Sequence, residues 1–174
     1  LAAQNVGGGL SVAGVASQID GDAWGGFNKL GFHIGGYAYY DFTDRIGLMT
    51  EILYGHRGSR EVVTAFSQVS LDFIDIPVLL RLKAVGEDGT GLYGHMGTAV
   101  NILLNATTGI GDFKVDRMNE FRRYTMDIQL GGEYFFTRNI GLFGRWSVGY
   151  FNLRKTRPWF TIHYITMGLR IGFK

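Results

Sequence analysis

A chain of 174 residues can carry one full core, and a single domain over residues 1–174 is expected. With 27 glycines, 2 prolines, 46% apolar residues and a net charge of +2 from dispersed Lys and Arg, it lacks the clustered basic footprint of a nucleic-acid binder. The absence of cysteine removes disulfides, thiolate nucleophiles and Cys-ligated metals, and no window reaches the roughly 20 apolar residues of a membrane-spanning helix.

Leu1-Ala2-Ala3-Gln4 has the small-residue character of a secretory-signal end cleaved before Gln4, which would make residues 1–3 a remnant. Eight period-two segments follow, at about 5–17, 29–42, 45–57, 69–84, 91–105, 123–137, 139–153 and 161–173. Side chains in a strand alternate faces, so each segment reads as a strand whose two sides meet different surroundings.

In the second segment Leu30, Phe32, Ile34 and Tyr40 share one face, while Gly31, His33, Gly35, Tyr37, Tyr39 and Asp41 share the other. The third sends Gly47, Met49, Glu51, Leu53 and Arg57 to the second kind of face and Thr50 to the oily one, where valine would be equally at home. In the fourth, Asp75, Pro77, Leu79, Arg81 and Lys83 oppose Ile74, Ile76, Val78, Leu80 and Leu82; Pro77 lacks a donor and predicts a bulge or an unpaired gap.

The fifth places Tyr93, His95, Gly97, Ala99, Asn101 and Leu103 on the polar face, and the sixth Asp127, Gln129, Gly131 and Glu133. The seventh opposes Gly141, Phe143, Arg145 and Ser147 to Ile140, Leu142 and Trp146, and the last adds Thr166, Gly168, Arg170 and Gly172 to the polar set. The polar face is too sparse for bulk water and suits a confined interior, whereas the oily face with its aromatic ends suits lipid.

Long strands in even number, joined alternately by tight turns (43–44, 138, and the moderate 85–90) and by longer polar loops (18–28, 58–68, 106–122, 155–160), predict an eight-stranded antiparallel transmembrane β-barrel. Short turns and both termini are expected to be periplasmic, and the long loops extracellular. Eight strands leave an interior just wide enough for side chains, so the four acids Glu51, Asp75, Asp127 and Glu133 and the four bases Arg81, Lys83, Arg145 and Arg170 are expected to pair as a network filling the lumen. Glu51 and Arg81, on consecutive strands, are the expected contact within it.

Gly31-Phe32-His33-Ile34-Gly35-Gly36-Tyr37, residues 46–58 with the L-x-x-E-x-x-Y-x-x-x-G spacing of Leu48, Glu51, Tyr54 and Gly58, and Asp75-Ile76-Pro77-Val78-Leu79-Leu80-Arg81 carry a resemblance to the PorT-like small outer-membrane β-barrel proteins of the Bacteroidota. It continues through Gly131-Gly132-Glu133-Tyr134 and residues 168–173. It implies fold and location, and carries over no catalytic residue.

A non-enzymatic barrel acting as a structural, surface-interaction or accessory subunit of an envelope complex is therefore expected, without cofactor or metal. Outer-membrane lipid and lipopolysaccharide are its expected surroundings, with Arg117, Arg122 and Arg123 as candidate lipopolysaccharide contacts. The alternatives are a narrow pore, or a hydrolase or acyltransferase at the loop end built from His56 or His163 with Ser59, Ser67, Ser70 or Asp72. The remaining histidines, His33 and His95, fall on the lumen face.

Overall fold

The computed structural model describes residues 6–20, 26–27, 29–60, 67–86, 90–110, 113–156 and 160–173. Residues 1–5, with the candidate signal remnant, lie outside the described residues. The strands are β1 (Val6–Asp20), β2 (Lys29–Asp41), β3 (Ile46–Arg60), β4 (Ser67–Val85), β5 (Gly91–Ile110), β6 (Phe113–Asp116), β7 (Tyr124–Phe135), β8 (Ile140–Gly149) and β9 (Thr161–Phe173), with a 3₁₀ turn at Met118–Glu120.

All pairings are antiparallel. β1 joins β2 on one side and β9 on the other, and β4 joins β5, so eight strands close into a ring without a free edge in the barrel wall. Closure gives each barrel strand a hydrogen-bonding neighbour on both sides, which an open sheet in lipid does not achieve. β6 is a ninth, short strand that hangs on the upper part of β5.

The two-residue period holds around the ring. β3 alternates buried and exposed residues from Gly47 to Tyr54, and Glu51 faces in beside outward Thr50 and Ile52. Outward aromatics gather in two belts. Tyr40, Phe42, Tyr134 and Phe136 lie at the short-turn end, and Phe32, Tyr54, Tyr124, Tyr150 and Phe151 at the long-loop end. Between them the wall is aliphatic, with Trp146 51% exposed.

Several boundaries differ from the sequence reading. β4 and β5 reach 19 and 20 residues because β5 acquires β6 as a partner above Ile102, where β7 leaves it. β8 stops at Gly149, short of the predicted 153, and the chain turns back toward the mouth. Leu104 is an extra residue in β5 between the pairs Asp72↔Asn105 and Phe73↔Leu103, so the inward parity switches from Leu103 to Ala106. At the β4–β5 turn Gly86 and Gly91 adopt φ values of 132° and 117°, open to glycine but strained for other residues.

Pro77 sits at an unpaired gap. Pairing with β3 runs from Thr50↔Val78 to Leu53↔Asp75 in unchanged register, with no pair between. The Thr50 hydroxyl fills part of that gap by donating to the Pro77 carbonyl at 3.0 Å. This corrects the reading of Thr50 as indifferent to valine: Thr50→Val removes a hydrogen bond that lipid cannot replace, and a loss of about 1 kcal/mol is expected in unfolding from vesicles. An unchanged urea midpoint would show that the bond contributes nothing.

Candidate functional site

The interior is filled from the long-loop end by apolar side chains, among them Ile19, Leu71, Phe73 and Leu103 from the wall. Phe121 and Leu153 are delivered from the loops 117–123 and 150–160, and Met118 and Phe160 pack behind them. The two loops are laced together: Arg122 N–H donates to the Leu153 carbonyl at 2.8 Å, and Lys155 N–H to the Glu120 carbonyl at 2.9 Å. Glu120 accepts from Arg117 at 2.5 Å and Arg154 at 2.7 Å, and the hydrogen bond from Arg117, then that from Arg154, holds its carboxyl below the usual carboxylate range.

Beneath this plug lies a first charged layer. Arg57 is fully buried between the rings of Phe73 and Tyr164, 4.1 and 4.5 Å from their centroids, and pairs with both oxygens of Asp75. His33 Nε2 lies 3.2 Å from Asp75 Oδ2 and 3.3 Å from the Arg57 guanidinium. Gly55, on the same inner face of β3, leaves the space this imidazole occupies. Asp127 accepts from Tyr164 at 2.6 Å, Asn101 at 2.9 Å and Gln129 at 2.8 Å.

In the middle layer Glu51 accepts from Arg145 at 2.7 and 3.1 Å and also from Arg170. Arg145 donates further to Gln129 at 3.0 Å and to His95 at 3.3 Å. Arg170 reaches down to Glu133, which also accepts from Arg81 at 2.6 Å. Arg81 continues to Asp41 at 3.4 Å and stacks on Tyr93, 3.6 Å from the ring centroid. The hydrogen bonds thus run without a break from Asp41 through Arg81, Glu133, Arg170, Glu51, Arg145, Gln129 and Asp127 to Tyr164.

Two features correct the expected network. Glu51 and Arg81 do not meet: Glu51 binds the far-wall arginines Arg145 and Arg170, while Arg81 binds Glu133 and Asp41. Their strands are neighbours, but Arg81 stands opposite Gly47, too far down the wall for Glu51. Lys83 stands apart at the short-turn end beside Asp44 and Arg45, next to the extra residue Ala84. Its place in the balance is taken by Arg57, which is not the end of its strand as the period-two segment predicts, because β3 runs three residues further. The buried carboxylates Glu51, Asp75, Asp127 and Glu133 therefore face the buried guanidiniums of Arg57, Arg81, Arg145 and Arg170.

At the loop end, Arg117, Arg122 and Arg123 are all exposed, but only Arg117 is held by Glu120. The material for a hydrolase is scattered. His56 Nδ1 lies 2.6 Å from Asp72 on the outer wall, while the Ser70 hydroxyl accepts from Lys29 at 3.0 Å. Ser59 is buried, Ser67 is described in its backbone alone, and His163 pairs with Asp20 at 2.9 Å. Among the described residues no hydrogen bond joins a serine hydroxyl to a histidine ring, the contact a serine nucleophile and its base would share.

The fold is shared with solved proteins. The attachment invasion locus protein Ail of Yersinia pestis is 14% identical with a TM-score of 0.58, over 96% of this chain and 98% of that one. Neisserial surface protein A is 13% identical with a TM-score of 0.59, over 99% of this chain and 100% of that one. At such identities the likeness is one of fold. No curated protein matches the chain in sequence. The outer membrane protein beta-barrel domain matches residues 3–155, up to the loop before β9 closes the ring on β1. That match covers most of the chain and agrees with the closed eight-stranded barrel described above: the chain belongs to the outer membrane protein beta-barrel domain family.

Proposed function

We propose that the protein is a non-enzymatic outer-membrane barrel with a closed lumen, acting through its outer and loop surfaces as a structural, surface-interaction or accessory subunit of an envelope complex. The observation that carries this reading is the unbroken chain of lumen hydrogen bonds from Asp41 to Tyr164, capped by the apolar side chains of Phe121 and Leu153. An ion crossing such an interior must displace paired charges and then enter an apolar plug.

In this reading the short turns and both termini are periplasmic, as the alternation of loop lengths supports. Outer-membrane lipid and lipopolysaccharide surround the barrel, with the exposed Arg117, Arg122 and Arg123 on the loop end above it. The kinship is with the PorT-like barrels of the Bacteroidota, on the motifs at residues 31–37, 46–58 and 75–81.

Planar-bilayer recording of the refolded protein tests the central point. No steady conductance is expected, with the barrel verified by heat-modifiable migration on gels. Stable open-channel currents of porin size would overturn the closed-lumen reading.

A further inference from the structure

On the outer face of the upper β3–β4–β5–β6 wall, side chains fall into four horizontal rows of ordered polarity. The lowest is apolar and aromatic: Tyr54, Ile74, Ile102 and Tyr124 stand in register, with the Phe32 ring against Tyr54. Above it His56, Asp72 and Asn105 are joined by hydrogen bonds of 2.6 and 3.2 Å. The next row, Gly58, Ser70, Thr107 and Asp116, offers hydroxyls and a glycine gap. The highest aligns Arg60, Gln68, Gly109 and Lys114.

Lys29 completes the top. Its ammonium donates to Gln68 at 2.9 Å and Ser70 at 3.0 Å. Arg60 and Lys114 both lie close enough to repel it. Among the described residues the nearby carboxylates are hydrogen-bonded: Asp72, which also attracts Lys29, by His56 and Asn105, and Asp116 by the Met118 amide at 2.8 Å. Three neighbouring cations above a hydrogen-bonding band and an apolar foot match, level by level, an amphiphile whose acyl chains, sugar hydroxyls and phosphate are stacked in that order.

We infer that this wall is a binding site for a phosphorylated glycolipid of the outer leaflet, with the phosphate held by Lys29 and Lys114 beside Arg60. Its acyl chains run along Phe32, Tyr54 and Ile74, and its sugars meet His56, Asn105 and Ser70. The inference rests on the outer-membrane reading with the long loops outside, and it assigns the headgroup to the wall and not to Arg117, Arg122 and Arg123.

The test uses the full chain refolded in phosphatidylcholine vesicles, with bisphosphorylated lipid A, its dephosphorylated form and phosphatidylglycerol as probes. Wild type is expected to bind the bisphosphorylated form at least about tenfold more tightly than either other probe. Each cation near an anionic group is worth roughly fivefold, so K29Q/K114Q should lose about 25-fold and K114Q alone about fivefold. R117Q/R122Q/R123Q should stay within about twofold of wild type.

Heat-modifiable migration identifies variants that have folded, and K114Q keeps the test decisive if the double variant has not, since Lys114 is exposed on a surface strand. Equal binding of all three probes, wild-type affinity in K29Q/K114Q or K114Q, or loss confined to the loop variant would each overturn the inference. Conductance of the same preparation is read separately, so failure of the closed-lumen reading is distinguishable from failure of this one.

Discussion

Glu51→Gln is expected to destabilise the folded barrel by about 3 to 5 kcal/mol, the cost of leaving buried cations without their carboxylate. Glu51 is 1% exposed and is the one acceptor shared by Arg145 and Arg170. Glutamine has nearly the same volume, so no cavity opens. What changes is charge and polarity: one of the two oxygens becomes an NH₂ group aimed at guanidinium donors, and four buried arginines then face three carboxylates.

Glu133 and Gln129 still accept from Arg170 and Arg145, which keeps the effect below complete unfolding. Urea unfolding from vesicles reads the difference directly. A loss under about 1 kcal/mol would mean that lumen water replaces the missing oxygen, because the screened interaction of exposed pairs is of that size. Arg81 is not the residue orphaned by this change, so Glu51→Gln and Arg81→Met should show little direct coupling.

The alternation of faces was legible in the sequence because a strand in a two-solvent wall leaves a period of two that survives small errors in its ends. Which charges lie inside follows from that parity; which of them touch does not. Arginine is long enough to cross a narrow lumen, so Arg145 and Arg170 meet Glu51 from strands 94 and 119 residues away in sequence, and cross-lumen reach overrides strand adjacency.

The plug was illegible for a different reason. Phe121 sits in a segment without periodicity, Leu153 at the end of a segment that reads as strand but turns after Gly149, and hydrogen bonds between the two loops bring them together. The extra residue Leu104 was equally hidden, since a bulge changes parity without any mark in composition. Arg57 was seen to face inward but not counted, because a boundary error of three residues made a mid-wall position look like a strand end.

Arg57→Met and Asp75→Leu should each cost about 3 to 5 kcal/mol, and the double variant far less than their sum. Arg57 has no exposed surface and rests between two aromatic rings, so its removal leaves Asp75 buried with only His33 beside it. Asp75→Leu strands the guanidinium in the same place, since among the described residues Asp75 is the carboxylate it bonds. Removing both partners leaves methionine against Phe73 and Tyr164 and leucine beside His33, an apolar contact continuous with the plug of Leu71, Phe73 and Leu103. Buried ion pairs replaced by apolar groups of similar volume are often neutral or stabilising, because the desolvation of two charges is recovered. The double variant should therefore unfold within about 2 kcal/mol of wild type, giving a coupling of several kcal/mol in the four-protein cycle. Strictly additive losses would show that Arg57 and Asp75 stabilise the barrel through separate partners, and that the layer beneath the plug is not one paired unit.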